Sequence, residues 1–237
     1  MVEPSGKSIK IITIDGPSGS GKSTAARLLA ERLGFAYLDT GAMYRAATLK
    51  ALRLGLDMRD SGGLIDMTKE LDLDLRPSAR GMKVLLDGKD VSEEIRTVEV
   101  TDSAHFLASR RGVRAEMVKR QRRLARKLGA LVTEGRDQGT VVFPGAEIKF
   151  FLDAESSTRA QRRFRQLQKT GEEATHDQVL AGMETRDGRD RDRQTAPLEI
   201  PAKALIIDTT TLTVGQMVDQ MAEEVERYVA SGCHGKQ

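Results

Sequence analysis

Tryptophan is absent from this 237-residue chain, and aromatic residues make up only 4% of it. Platforms that stack single-stranded nucleic acid need several such rings, so that mode of binding is disfavoured. One cysteine is present, Cys233, in a polar tail that reads SGCHGKQ. A lone thiol builds neither an intrachain disulfide nor a thiolate metal site, and the expected compartment is a reducing cytoplasm. No apolar run approaches the length of a membrane span. The opening MVEPSGKSIK lacks the apolar stretch of a secretory signal, so none is expected. The guanine-reading Asn-Lys-x-Asp of GTPases is missing, and no internal repeat stands out. Formal net charge is only +3, from 38 basic and 35 acidic residues, so no strong far field draws a long polyanion.

What is present is local and strong. Gly16 to Ser23 reads GPSGSGKS and fits G-x-x-x-x-G-K-[ST], the phosphate-binding P-loop. Its flanks suit that role. IKIITID before it is a β-branched run that predicts a buried strand. STAARLLAERLG after it predicts a helix stopped by Gly34. Strand, glycine turn and helix N-terminus point several N–H groups at one phosphate. The ATP-binding candidates are therefore Gly16, Pro17, Ser18, Gly19, Ser20, Gly21, Lys22, Ser23 and Thr24. Lys22 reaches β/γ oxygens, and Ser23 is the candidate Mg²⁺ ligand.

The rest alternates strands and helices. FAYLD predicts a second strand, Thr40 a cap for a helix over about 42–53, and 62–75 a weaker amphipathic helix. LDLDLRP and MKVLLDGKDVS, with Asp-Gly at 87–88, predict a small antiparallel sheet. Helices are expected over 99–109 and 113–128, strands at ALVTE and EIKFFLD, and a basic helix over 156–169. Thr175 with Gln178 forms a capping-box pattern for a helix to about Arg186. KALIIDTT predicts a last strand, and Thr213 with Gln216 caps a terminal helix. The fold class is α/β, a parallel sheet with helices on both faces, so ligands belong at the carboxyl ends of its strands.

Arginines cluster at 110–127 and 159–193. The second cluster alternates with acids in RDGRDRDR, which favours a small, closely held anion over a long nucleic acid. Arg159, Arg162 and Arg163 share a helix at spacings that place guanidiniums on one face. Arg45, Arg136, Arg186 and Arg193 are candidate clamps for an acceptor phosphate. A small kinase fits these residues best. An acceptor such as UMP or AMP, or an ATP-switched RNA-binding protein, are the competing readings.

IDGPSGSGKST, LDTGAMYR, EGRDQGTVVFP, FLDA and RDGRDRDR, in that order over roughly residues 10 to 228, together resemble the bacterial cytidylate kinases. The resemblance implies a nucleoside-monophosphate-kinase fold: a core at 1–40, a monophosphate-binding subdomain at 41–97, core again at 98–155, a lid and arginine segment at 156–194, and core at 195–237. It implies transfer of the γ-phosphoryl group of ATP to CMP or dCMP with Mg²⁺, in a cytoplasmic monomer with no nucleic-acid or membrane partner. Arg45, Arg136 and Arg193 would then hold the acceptor phosphate. Thr40, Asp190 and Arg186 would lie near the sugar. Arg114 and Asp137 would read the cytosine edge, and Tyr44 is expected either to pack beneath the base or to belong to the core. Lys22, Arg136, Arg159, Arg162 and Arg193 are the catalytic candidates. His105 stands nine residues before Arg114, where the family usually has serine; Ser103 and Ser109 are the alternatives nearby.

Overall fold

The computed structural model describes residues 10–78, 81–171 and 173–231. Ile9, Cys233 and His234 lie outside them, as does the opening segment. Five strands form one wholly parallel sheet in the order β2-β6-β1-β7-β8. They are β1 (Ile11–Asp15), β2 (Ala36–Asp39), β6 (Leu131–Gly135), β7 (Ile148–Asp153) and β8 (Leu205–Asp208). β1 is central and buried on both faces: Ile12 and Ile14 are fully buried on one, and Thr13 and Asp15 on the other. The register sets Asp15 opposite Gly135 and Asp39 opposite Glu134. Three carboxylates thus arrive at one edge of the sheet.

Two cores cover its faces. α1 (Lys22–Leu33) and α8 (Val214–Ser231) bury Ala25, Ala26, Leu29, Met217, Met221 and Val225 against one face. α2 (Thr40–Arg53), α3 (Ser61–Lys69), α4 (Val98–Ser109) and α5 (Arg111–Leu128) cover the other. That second core also takes in Leu75, Val84 and Leu86 from the small antiparallel sheet of β3 (Leu73–Ser78), β4 (Gly81–Leu86) and β5 (Lys89–Asp90). The inserted sheet is therefore welded to α2 and to the edge of the main sheet. α6 (Ser156–Thr170) and α7 (His176–Arg191) form an arm with its own small apolar cluster of Ala160, Val179 and Met183.

Three boundaries differ from expectation. Asp39, not Thr40, caps α2: its carboxylate accepts the Ala42 N–H at 2.8 Å, which leaves the Thr40 hydroxyl to donate to the Glu134 carbonyl at 2.7 Å. α3 stops at Lys69 because the following residues leave the helix to pair in the small sheet. α7 continues to Arg191, since Val179, Met183 and Asp187 keep one i, i+4 stripe packed on α6. The capping pairs Thr175–Gln178 and Thr213–Gln216 both form.

Candidate active site

The P-loop needs glycine where its backbone passes closest to the sheet. A Cβ on Gly16 would lie 2.0 Å from the Leu152 carbonyl oxygen, and its φ is +147°. With that approach made, the loop turns onto the N-terminus of α1. Lys22 is 5% exposed and folds back: its Nζ donates to the Pro17 carbonyl at 2.6 Å and to Ser20 Oγ at 3.4 Å. Burial, and then the Arg136 guanidinium, pull its ammonium down to about 7. An anion in the loop would reverse that balance.

Ser23 Oγ donates to Glu134 Oε1 at 2.8 Å across the cleft floor. Burial and the Asp39 charge push Glu134 upward, while Lys22 and Ser23 oppose that. Glu134 went unassigned in the sequence, although it directly precedes Gly135 at a strand end facing the P-loop. A hydroxyl and a carboxylate at this spacing suit a hard divalent cation, which takes its remaining ligands from phosphates and water. Among the described residues no group of three His, Cys, Asp or Glu forms a protein cage.

A cleft of about 1040 Å³ opens from the P-loop across the carboxyl ends of β2 and β6 to α4, α6 and α7. Ser18, Gly19, Gly21, Lys22, Ser23 and Thr24 line it; Gly16, Pro17 and Ser20 lie beneath as the turn that shapes them. Thr40, Tyr44, Arg45, His105, Arg114, Arg136, Asp137, Arg186, Asp190 and Arg193, spread over α2, α4, α5, the β6 loop, α7 and the turn just after it, all line it too. Helical phase makes this possible on α7. Arg186 and Asp190, four apart, face the cleft, while Asp187 faces α6.

The cations are held but not cancelled. Arg136 Nε donates to Asp190 Oδ2 at 2.8 Å and Nη1 to the Gly135 carbonyl at 3.4 Å, while the residue still lines the cleft. Arg45 bonds Asp39 at 3.2 Å, and its buried Nε has no partner. Arg193 donates to the Ala196 carbonyl and sits 3.9 Å from Asp190. Burial, with Arg136 nearby, brings Arg186 down to about 10. A dianion among these four would relieve repulsion and satisfy donors.

Arg114 and Asp137 form a buried ion pair, 4% and 6% exposed at the side chain. Arg114 also stands 5.8 Å over the Tyr44 ring. Arg136 and Asp137, adjacent in sequence, thus take different partners rather than each other. His105 Nδ1 lies 2.5 Å from the Asp102 carbonyl and its ring packs on Phe106, which leaves the other edge to the cleft. Ser103 lines the cleft, and Ser109 instead bonds the Phe106 carbonyl.

Arg159 is not part of the lining. Its guanidinium is spent on Asp187, the Ala154 and Ser18 carbonyls and Ser156 Oγ. Asp187 in turn accepts the Ser18 N–H at 3.2 Å. Arg162 does line the cleft but bonds Thr209, whose hydroxyl reaches the Ser20 carbonyl at 3.1 Å. No sequence pattern announced Asp187 as the partner of Arg159.

The family model described as cytidylate kinase matches residues 12–227. A cytidylate kinase from Vibrio cholerae is 44% identical over 216 residues, which is 91% of this chain and 96% of that protein. One from Mannheimia succiniciproducens is 45% identical over 92% of this chain and 97% of its own. An uncharacterized protein from Eubacterium ventriosum superimposes at a TM-score of 0.52 with 13% identity, covering 91% of this chain and 98% of that one, a likeness of fold alone. With a P-loop, a facing arginine cluster and relatives matched nearly end to end, the chain belongs to the cytidylate kinase family.

Proposed function

We propose that the enzyme transfers the γ-phosphoryl group of ATP to CMP or dCMP, and that the residues lining the cleft divide the work as follows. The observation that carries this reading is that Lys22 and Ser23 of the P-loop and Arg45, Arg136, Arg186 and Arg193 all line one shared volume. ATP phosphates take the P-loop amides and Lys22. The acceptor phosphate takes the arginines. Its oxygen attacks the γ-phosphorus in line, the bond to the bridging oxygen breaks, and ADP leaves with the negative charge. The acceptor is already an anion, so positioning and charge stabilisation carry the catalysis. Mg²⁺, held by Ser23 Oγ with Glu134 beside it, would supply further neutralisation of phosphate charge when bound.

The Arg114–Asp137 pair offers a carboxylate acceptor for the exocyclic amine that separates cytosine from uracil, with Tyr44 behind. Thr40 and Asp190 stand where a ribose would lie, and His105 flanks the base. Arg162 and Arg193 are the remaining groups near the transferring phosphoryl. Arg159 acts through Ser18 and shapes the loop. Residues 41–97 serve as the monophosphate-binding subdomain and 156–194 as the lid of a cytoplasmic monomer.

A coupled ADP-release assay with ATP, Mg²⁺ and each of CMP, dCMP, UMP and AMP tests this. Turnover is expected with CMP and dCMP and little with AMP; silence with all four overturns it. The Lys22→Ala variant should lose about 10³-fold in kcat while its thermal midpoint changes little. A folded Lys22→Ala enzyme of near-normal rate would refute the assigned role.

A further inference from the structure

Asp15 is fully buried at the carboxyl end of β1, directly before Gly16. Among the described residues it has no ion-pair partner. Its two oxygens instead accept two consecutive main-chain donors from the turn after the neighbouring strand β6: Gln138 N–H at 2.8 Å on Oδ1 and Gly139 N–H at 2.7 Å on Oδ2. Those amides belong to the turn that immediately follows Arg136 and Asp137. The turn is closely seated, since a Cβ on Gly139 would come within 2.8 Å of Pro201 and 2.9 Å of Thr13 Oγ1.

Gln138 passes the connection on. Its side chain accepts from Thr133 at 3.0 Å and donates to Gln121 on α5 at 3.3 Å and to Thr40 on α2 at 3.5 Å. Those two helices carry Arg114, Tyr44 and Arg45. One carboxylate therefore ties the root of the phosphate loop to the segment that presents the acceptor-side residues. Both amides are donors, so the group facing them must accept twice. An ionised aspartate does this, and an asparagine of the same shape accepts once and turns an N–H₂ on the other amide. Such a charge is expensive to bury, and its neighbours are mixed: Asp137 opposes it and Lys22 favours it.

We propose that Asp15 is a positioning residue for the acceptor half of the reaction, fixing Arg136 and Asp137 relative to the P-loop. This rests on the phosphoryl-transfer reading above. The P-loop itself is held independently, by the Gly16 approach to Leu152 and by the bonds of Arg159 and Asp187 to Ser18. The consequence is an asymmetry between the two substrates.

The test is steady-state kinetics of wild type and Asp15→Asn, varying CMP and ATP separately. A loss of this size of alignment is expected to lower kcat/KM for CMP roughly 10- to 100-fold, with KM for ATP changed less than about threefold. Equal effects on both substrates, or none on either, overturn the proposal. Wild type inactive toward CMP would instead sink the functional reading and, with it, the proposal that rests on it. A second measurement applies where wild type turns CMP over. It is amide hydrogen exchange in the wild-type protein, which also serves if Asp15→Asn does not fold. CMP should raise protection at Gln138 and Gly139 about tenfold or more, and ATP alone should not. Protection indifferent to CMP would mean that the bonds are ordinary scaffold, and the proposal fails.

Discussion

Arg114–Asp137 and Arg159–Asp187 are two ion pairs of the same chemistry and nearly the same burial, with side chains 4% and 6% exposed in one and 7% and 5% in the other. They differ in their surroundings. The first lies at the cleft wall, with the Arg114 guanidinium over the Tyr44 ring. The second lies behind the P-loop, and both of its members grip Ser18, one at its N–H and one at its carbonyl. Burying charge costs several kcal/mol per ion unless every donor and acceptor is used. The second pair uses them on the protein, so its geometry is closed. The first lines the open cleft, and in the role proposed above it leaves part of its capacity to a ligand, so burial alone does not tell structural charge from functional charge.

Single truncations should look alike in stability and unlike in kinetics. Arg114→Ala and Arg159→Ala each strand a buried carboxylate, and a loss of about 3–5 kcal/mol is expected from either. In the folded fraction, Arg114→Ala should act on CMP and Arg159→Ala on ATP, through the freed Ser18. Replacing both members by apolar residues of similar volume sharpens the contrast. Arg159→Met with Asp187→Leu should regain most of the stability yet keep a raised KM for ATP, because the Ser18 groups stay unbonded. Arg114→Met with Asp137→Leu should regain stability and leave use of CMP down by about 10²-fold or more. Chemical denaturation and two-substrate kinetics read all four. If the pairs exchanged their substrate effects, the distinction would be wrong.

A smaller effect concerns the two buried groups at the P-loop itself. Asp15 is raised from 3.8 to about 7, chiefly by burial, so the folded state binds more protons between those values and stability falls as pH rises through that window. Lys22 is lowered from 10.5 to about 7, so the folded state binds fewer protons above 7 and stability rises with pH from there. The two slopes oppose each other and meet near neutrality. Phosphate charge at Lys22 should restore its ammonium, so ATP binding at pH 8 should take up a proton. Calorimetry in buffers of different ionisation enthalpy measures this. A binding heat independent of buffer, or unchanged buffer dependence in Lys22→Gln, would remove Lys22 as the source.

The same contrast explains what the sequence could and could not disclose. Local pattern carried the P-loop, the strand–helix alternation and the hairpin at Asp87–Gly88, because each depends on neighbours in the chain. Asp39 and Gly135 were legible as positions because they end strands of one parallel sheet, where ligands collect, whereas the roles of Thr40 and Asp137 came only with the resemblance to the cytidylate kinases. Asp187 was not. Its partner lies 28 residues away on another helix, and only the packing of Met183 and Val179 on α6 decides which side of α7 it takes. In RDGRDRDR every residue is charged or glycine, so composition cannot sort cleft from support. Glu134 and Asp15 were hidden differently: each is a single carboxylate at a strand end, and a lone carboxylate there carries no pattern of its own.

The smallest effect expected lies at the outer end of the arm. Thr175 Oγ1 accepts the Gln178 N–H at 3.3 Å and Gln178 Oε1 accepts the Thr175 N–H at 2.8 Å, both at the surface and far from the P-loop pair. Thr175→Ala removes one half of that box and should cost about 1 kcal/mol, a fall in thermal midpoint of about 2–4 °C for a chain of this size. The far end of α7 is held by Asp187 and Arg159, so fraying of the first turn should stop before it reaches Arg186 and Asp190. Kinetic constants for both substrates should therefore stay within about twofold of wild type, the usual reach of a surface change. If Thr175→Ala raised KM for ATP or CMP severalfold, the arm would respond as one body, and the Arg159–Asp187 lock could not be the point that isolates its outer end from the cleft.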